Sequence, residues 1–95
     1  MTAVGFSDID LILAVEPDGY VAASQLAYQL GKGVLPIRPR GKLHDAVALG
    51  HLEVDRAGVT PGQTVLLVGG CTSPALAVAA QELRARGVDV RTLCV

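Results

Sequence analysis

Ile9-Asp-Leu-Ile-Leu-Ala-Val15, then Glu16-Pro17-Asp18-Gly19, then a helical stripe running to Leu30, is the stretch of sequence that decides the fold. Residues 9–15 are almost all apolar and mostly branched, the composition of a strand covered on both faces. Glu16 to Gly19 carry turn chemistry. From Gly19 to Leu30 the apolar residues Ala23, Leu26, Ala27 and Leu30 fall at i, i+3, i+4 and i+7, one face of a helix. Gly31 and Gly33 bracket Lys32 and supply the C-cap. A strand, a glycine-bearing turn and a helix in that order form half of a crossover unit.

The unit recurs. Gly33–Arg38 reads as a second strand, with Pro36 pushing it toward a sheet edge. Residues 39–45 are polar loop, and 46–49 with 51–54 around Gly50 suit a small hairpin. Thr60-Pro61-Gly62-Gln63 launches another buried strand over Thr64–Val68. Gly69-Gly70-Cys71-Thr72-Ser73 forms the next loop, where Ser73 followed by Pro74 is a helix start with Ser as N-cap and Pro at N1. Leu76, Ala79, Ala80 and Leu83 form that helix's stripe. Arg84 and Arg86 sit where the helix dipole favours cations, Gly87 closes the helix, and residues 88–94 make the last strand. The expectation is one three-layer α/β domain over residues 1–95, with a parallel sheet of about four strands in the order 2-1-3-4 and crossover helices. The order reverses between the strands at 9–15 and 64–68, so ligands are expected where the loops Glu16–Gly19 and Gly69–Ser73 face each other.

Composition narrows the function. The chain has 95 residues, of which 51% are apolar and 18% charged, with net charge −1. No Trp and a single Phe leave Val, Leu, Ile and Ala to pack the core. A near-neutral chain has no strong electrostatic grip on nucleic acid; only Arg38, Arg40 and Lys42 cluster, enough for one phosphate group. Apolar runs stop far short of the roughly 18 residues of a spanning helix, so no membrane contact is expected. MTAVGFSDID lacks a basic n-region, and the reading is a cytoplasmic protein without a secretory leader. Cys71 and Cys94 then read as reduced thiols. His44 and His51 share no ligand spacing with either cysteine, so no metal site is expected. Glu53 and Asp55 read as surface residues on a short strand.

Several segments together resemble the adenine-type phosphoribosyltransferases, type I enzymes of purine salvage. Asp10-Leu-Ile-Leu-Ala-Val-Glu-Pro-Asp-Gly-Tyr20 and Leu26-Ala-Tyr-Gln-Leu-Gly31 are similar to the family's strand, its Glu-x-Arg-Gly-Phe/Tyr turn and its helix ending Leu-Ala-Tyr-x-Leu-Gly. Val34-Leu-Pro-Ile-Arg-Pro-Arg-Gly-Lys-Leu43 and the run from Leu52 to Val68 resemble the segments leading to the family's signature strand. The likeness covers roughly residues 8 to 94.

The resemblance also implies what is missing. The family's signature strand ends in two acids that hold the ribose hydroxyls of phosphoribosyl pyrophosphate, and a Thr-Gly-Gly-Thr loop cradles the 5′-phosphate. Those acids align with Gly69 and Gly70, and the loop aligns with Pro74-Ala75-Leu76-Ala77. The pyrophosphate-loop Arg aligns with Asp18, whereas Glu16 and Gly19 match. The loop's unusual cis peptide would fall at Glu16–Pro17. The long closing loop is reduced to residues 44–51, and only seven residues stand where a base-recognising hood would precede the first strand.

Each feature has a plain reading beside a functional one. Gly69 and Gly70 are an anion cradle or a strand-end turn. Thr72 and Ser73 hold phosphate, with the N–H groups of Ala75 and Leu76 free to donate, or simply cap a helix. Arg38, Arg40 and Lys42 are a remnant of pyrophosphate binding or a solvated loop. Cys71 is a thiol near a helix start with no activating base in view. The leading expectation is a shortened, non-catalytic phosphoribosyltransferase-like protein that binds phosphate or a nucleotide weakly, or serves as an interaction subunit. An active purine phosphoribosyltransferase, with Mg as its only added group, is the alternative; a thiol enzyme using Cys71 is the second. A homodimer is expected, hiding Leu35, Ile37 and Val47 near a sheet edge.

Overall fold

The computed structural model describes residues 8–16, 18–41 and 45–95. Pro17 with its peptide bond, Lys42 and His44 lie outside the described residues. Strand β1 spans Leu11–Val15, helix α1 Asp18–Leu30, and strand β2 Val34–Pro39. A hairpin of β3 (Ala46–Leu49) and β4 (Leu52–Asp55) follows, then a single 3-10 turn over Arg56–Gly58. Strand β5 (Thr64–Gly69), helix α2 (Pro74–Ala85) and strand β6 (Asp89–Cys94) complete the chain.

The six strands form one sheet in the order β3-β4-β2-β1-β5-β6. Four of them, β2-β1-β5-β6, pair in parallel, in the order expected from the alternating pattern. The hairpin adds an antiparallel edge beyond β2. From β1 the chain winds outward one way through α1 and from β5 the other way through α2. Crossovers of one hand therefore place the helices on opposite faces. On one face Ile12, Ala14, Leu66 and Val68 pack against Ala23 and Ala27 of α1. On the other, Leu13, Val15, Leu67 and Val90 pack against Ala79, Ala80 and Leu83 of α2. Both helices present alanine to the sheet, which lets them lie close without aromatic filler. Ser73 caps α2 as its sequence indicates, accepting from the Ala75 N–H at 3.3 Å, with Pro74 in the first turn. No helix among the described residues is long and apolar enough to cross a membrane.

Three expectations are corrected. Pro36 does not mark an edge, because β2 lies between β1 and β4. The carbonyls of Gly33 and Ile37 accept from β1 amides, so the alternating polar groups of residue 36 face the other neighbour. The β4 ladder starts only at Ile37, and the N–H that proline lacks is not required there. Ile37 is fully buried rather than near an edge, while Leu35 and Val47 are partly buried against the same core. Glu53 is 6% exposed rather than a surface residue. Its neighbours Leu52 and Val54 point into the α2-side core, which turns Glu53 to the opposite face, while Asp55 caps the 3-10 turn by accepting from Ala57 N–H.

The core accounts for the stability. Leu67→Ala, at a fully buried site, should cost about 2–5 kcal/mol in urea unfolding. Tyr28→Ala, at a side chain 90% exposed on α1, should stay within about 0.5 kcal/mol of the parent.

Candidate functional site

The carboxyl ends of β1 and β5 lie side by side, with Leu13 paired to Leu67 and Ala14 to Val68. The loop after β1 and the loop after β5 therefore meet, as the reversal of strand order requires. They meet closely. A Cβ on Gly19 would run into the Val68 carbonyl and come within 3.0 Å of the Gly69 Cα, a backbone-to-backbone contact. A Cβ on Gly70 would stand 2.8 Å from Asp18 Oδ2. A Cβ on Gly69 would stand 3.0 Å from Leu76 Cδ1 and 3.2 Å from the Val15 Cβ. The space where side chains from positions 69 and 70 would project is already filled by Val15, Leu76 and the Asp18 carboxylate. The glycines there serve close packing of the two loops.

The amides of the second loop are also engaged. Cys71 N–H donates to the Val95 carbonyl at 3.1 Å, and Ser73 N–H to the Gly70 carbonyl at 3.1 Å. Ala75 N–H donates to Ser73 Oγ and Leu76 N–H to the Ser73 carbonyl at 3.3 Å. The amides of Ala75 and Leu76 are thus not free for an anion: the helix start satisfies itself through its own cap. Thr72 is exposed at the tip of the turn.

Cys71 is no free thiol. It is bonded to Cys94, with the two Cα atoms 4.6 Å apart. The register pairs Gly69 of β5 with Cys94 of β6, so the neighbouring parallel strand delivers Cys94 to the start of the loop. The adjacency followed from the strand order, but spacing along the chain concealed it. The pairing corrects the reading as reduced thiols and, in this state, removes the nucleophile a thiol enzyme would need.

The basic residues separate. Arg38 belongs to β2 and pairs with Glu16 at 3.5 Å, both side chains about one-third exposed. Arg40 is exposed just beyond β2, where its N–H donates to the His51 carbonyl at 3.3 Å. The register aligns Glu16, Arg38 and Glu53 in one row across the sheet on the α1 face. That row is an acidic surround for one guanidinium, with its charge offset locally by Glu16 rather than held open for a phosphate. A groove of about 350 Å³ lies to one side, between α2 and the outer edge of β6, lined by Cys71, Ser73, Leu76, Ala80, Arg84 and Thr92 among others.

Comparisons with known proteins agree with the geometry. The chain is 32% identical over 97 residues to the adenine phosphoribosyltransferase of Rhizobium meliloti (strain 1021), an alignment covering 90% of this chain and 54% of that protein. It is 31% identical over 121 residues to the enzyme of Chelativorans sp. (strain BNC1), covering 90% of this chain and 67% of the relative. The chain belongs to the adenine-type phosphoribosyltransferase family. No family model matches it. Among solved structures, the Saccharomyces cerevisiae adenine phosphoribosyltransferase superposes with a TM-score of 0.76 at 25% identity, covering 93% of this chain and 54% of that one. That structure holds adenine and an imino-altritol bisphosphate. This phosphoribosyltransferase-like chain spans about half the length of the curated relatives it matches.

The tight meeting of the two loops makes a measurable demand on Gly19. Gly19→Ala forces a methyl group against backbone that cannot swing aside. It should cost about 2–3 kcal/mol in chemical denaturation, whereas Gly33→Ala, whose Cβ would meet only a Leu11 methyl at 3.4 Å, should cost well under half as much.

Proposed function

We propose that this chain is a non-catalytic member of its family, an interaction subunit with at most weak affinity for a phosphate or nucleotide. The observation that carries the reading is the occupied space at Gly69 and Gly70. The family resemblance places the ribose-holding acids at those two positions; here they bear no side chains, and one added at Gly70 would have to displace the Asp18 carboxylate. A charge-assisted hydrogen bond contributes about 1.5–3 kcal/mol, so losing two removes roughly 3–6 kcal/mol. At about 1.4 kcal/mol per decade that is on the order of 10² to 10⁴ in rate. The capped helix start and the Glu16–Arg38 pair support the same reading, since the first amides of α2 are taken up by Ser73 and the Arg38 charge is offset by Glu16. Self-association into a homodimer and a cytoplasmic location belong to the proposal. The exposed apolar side chains on α1 are Tyr20, Val21 and Tyr28.

One observation favours the alternative of an active purine phosphoribosyltransferase. The Asp18 carboxylate sits beside Gly70, close to where a side chain from that position would begin. In that alternative Asp18 would hold a ribose hydroxyl from the opposite loop, and magnesium would enter with the pyrophosphate. The two readings separate in an assay of AMP, GMP, IMP and UMP formation from the free bases and phosphoribosyl pyrophosphate at high protein concentration. Turnover should stay below about 0.1 s⁻¹ with every base, well under the usual enzyme median. Turnover above that level, abolished by Asp18→Asn, would establish the transferase instead.

A further inference from the structure

The loop between β5 and α2 is tied to the end of β6 by three bonds within a few residues. Cys71 is joined to Cys94 through sulfur. Cys71 N–H donates to the Val95 carbonyl at 3.1 Å, and Val95 N–H donates to the Gly69 carbonyl at 2.8 Å. Beyond these ties the loop is held by its own turn, Ser73 N–H to the Gly70 carbonyl, and by the packing of Gly69 and Gly70 against Leu76 and Asp18. The sheet beneath needs none of this: Leu66, Leu67 and Val68 are buried between both helices whatever happens at the tip. The clamp therefore acts on the loop rather than on the core.

The same disulfide is open to attack. Both cysteines are exposed, and Cys71 lines the groove between α2 and β6. The groove wall mixes Leu76, Ala77 and Ala80 with the polar side chains of Ser73, Gln81 and Thr92, and Arg84 stands further along. A small thiolate can reach the disulfide from that groove, because both cysteines are exposed to solvent.

We propose that Cys71–Cys94 is a thiol–disulfide switch that clamps the switch-point loop when oxidised and frees it when reduced. The reductant is a low-molecular-weight or protein dithiol. Its thiolate attacks Cys71 Sγ, forms a mixed disulfide and expels Cys94 as a thiolate, which takes up a proton. The second thiol of the reductant then attacks its own sulfur in the mixed disulfide. Cys71 leaves as a thiolate and is protonated, and the reductant departs as a disulfide. Two electrons and two protons pass from the dithiol to the cysteine pair. Cys71, released from Cys94, no longer holds its N–H against Val95, and the loop from Gly70 to Ser73 opens. The proposal is independent of whether the chain transfers phosphoribosyl groups.

The test uses the full chain, equilibrated with dithiothreitol and then with oxidised glutathione. Thiols are counted by alkylation and mass spectrometry, and amide exchange is followed on the same samples. Two thiols should appear together on reduction and vanish together on reoxidation. Exchange in peptides covering 69–76 and 93–95 should accelerate about tenfold on reduction, while peptides from β1 and α1 change less than about twofold. Cys71→Ser and Cys94→Ser should each show the fast loop exchange under oxidising conditions. Free thiols that persist in oxidised glutathione would overturn the proposal, as would loop exchange indifferent to reduction. Acceleration spread evenly through β1 and α1 would also overturn it, making the bond a staple of the whole fold.

Discussion

The approach of α1 to the end of β5 is the constraint on which the rest of the structure depends. The chain must leave β1 and, by Asp18, begin a helix within reach of the adjacent strand's last carbonyls. It does so because Gly19 has no Cβ to strike Val68. That contact sets where α1 lies on its face of the sheet, and the two alanines that follow it, Ala23 and Ala27, keep the helix close to Ile12 and Leu66. It also brings together the two loops that flank the crevice sheets of this type use for ligands. Asp18, carried in with Gly19, occupies the volume beside Gly70, and Leu76 of α2 closes on Gly69 from the other face.

The electrostatics follow from the same packing. An anionic ligand at the crevice would meet the Asp18 carboxylate before it met a cation. Arg38 lies one strand away with Glu16 beside it, and Arg40 stands in solvent, where a single charge has little hold on a phosphate at physiological salt. The dipole of α2 points the right way, yet its first amides are taken up by Ser73. Helix direction alone does not make an anion site; the donors have to be uncommitted as well.

Much of the fold was legible in the residues. Branched apolar runs at β1 and β5, the alanine and leucine stripe on each helix, and Ser73-Pro74 at the start of α2 each follow from local chemistry and agree with one another. The failures share a cause. Pro36 looked like an edge residue because a strand's two sides differ only once its neighbours are known. Glu53 looked exposed because a charge in a four-residue strand carries no sign of what covers it. The Cys71–Cys94 bond and the contact of Asp18 with Gly70 both join segments far apart in sequence. Spacing motifs do not see such contacts, although the strand order already placed the carboxyl ends of β5 and β6 together.

The central claim is that the crevice between β1 and β5 lacks the side chains that would hold a ribose donor, with Asp18 standing beside Gly70 instead. Calorimetric titration of the full chain with phosphoribosyl pyrophosphate and magnesium, with adenine present and AMP as control, tests it most directly. The account predicts no saturable heat up to about 1 mM ligand, an affinity weaker than about −4 kcal/mol. A stoichiometric isotherm with a Kd in the micromolar range, weakened in Asp18→Asn, would contradict it, because a crevice with no carboxylate at positions 69 and 70 would then be holding the ribose donor.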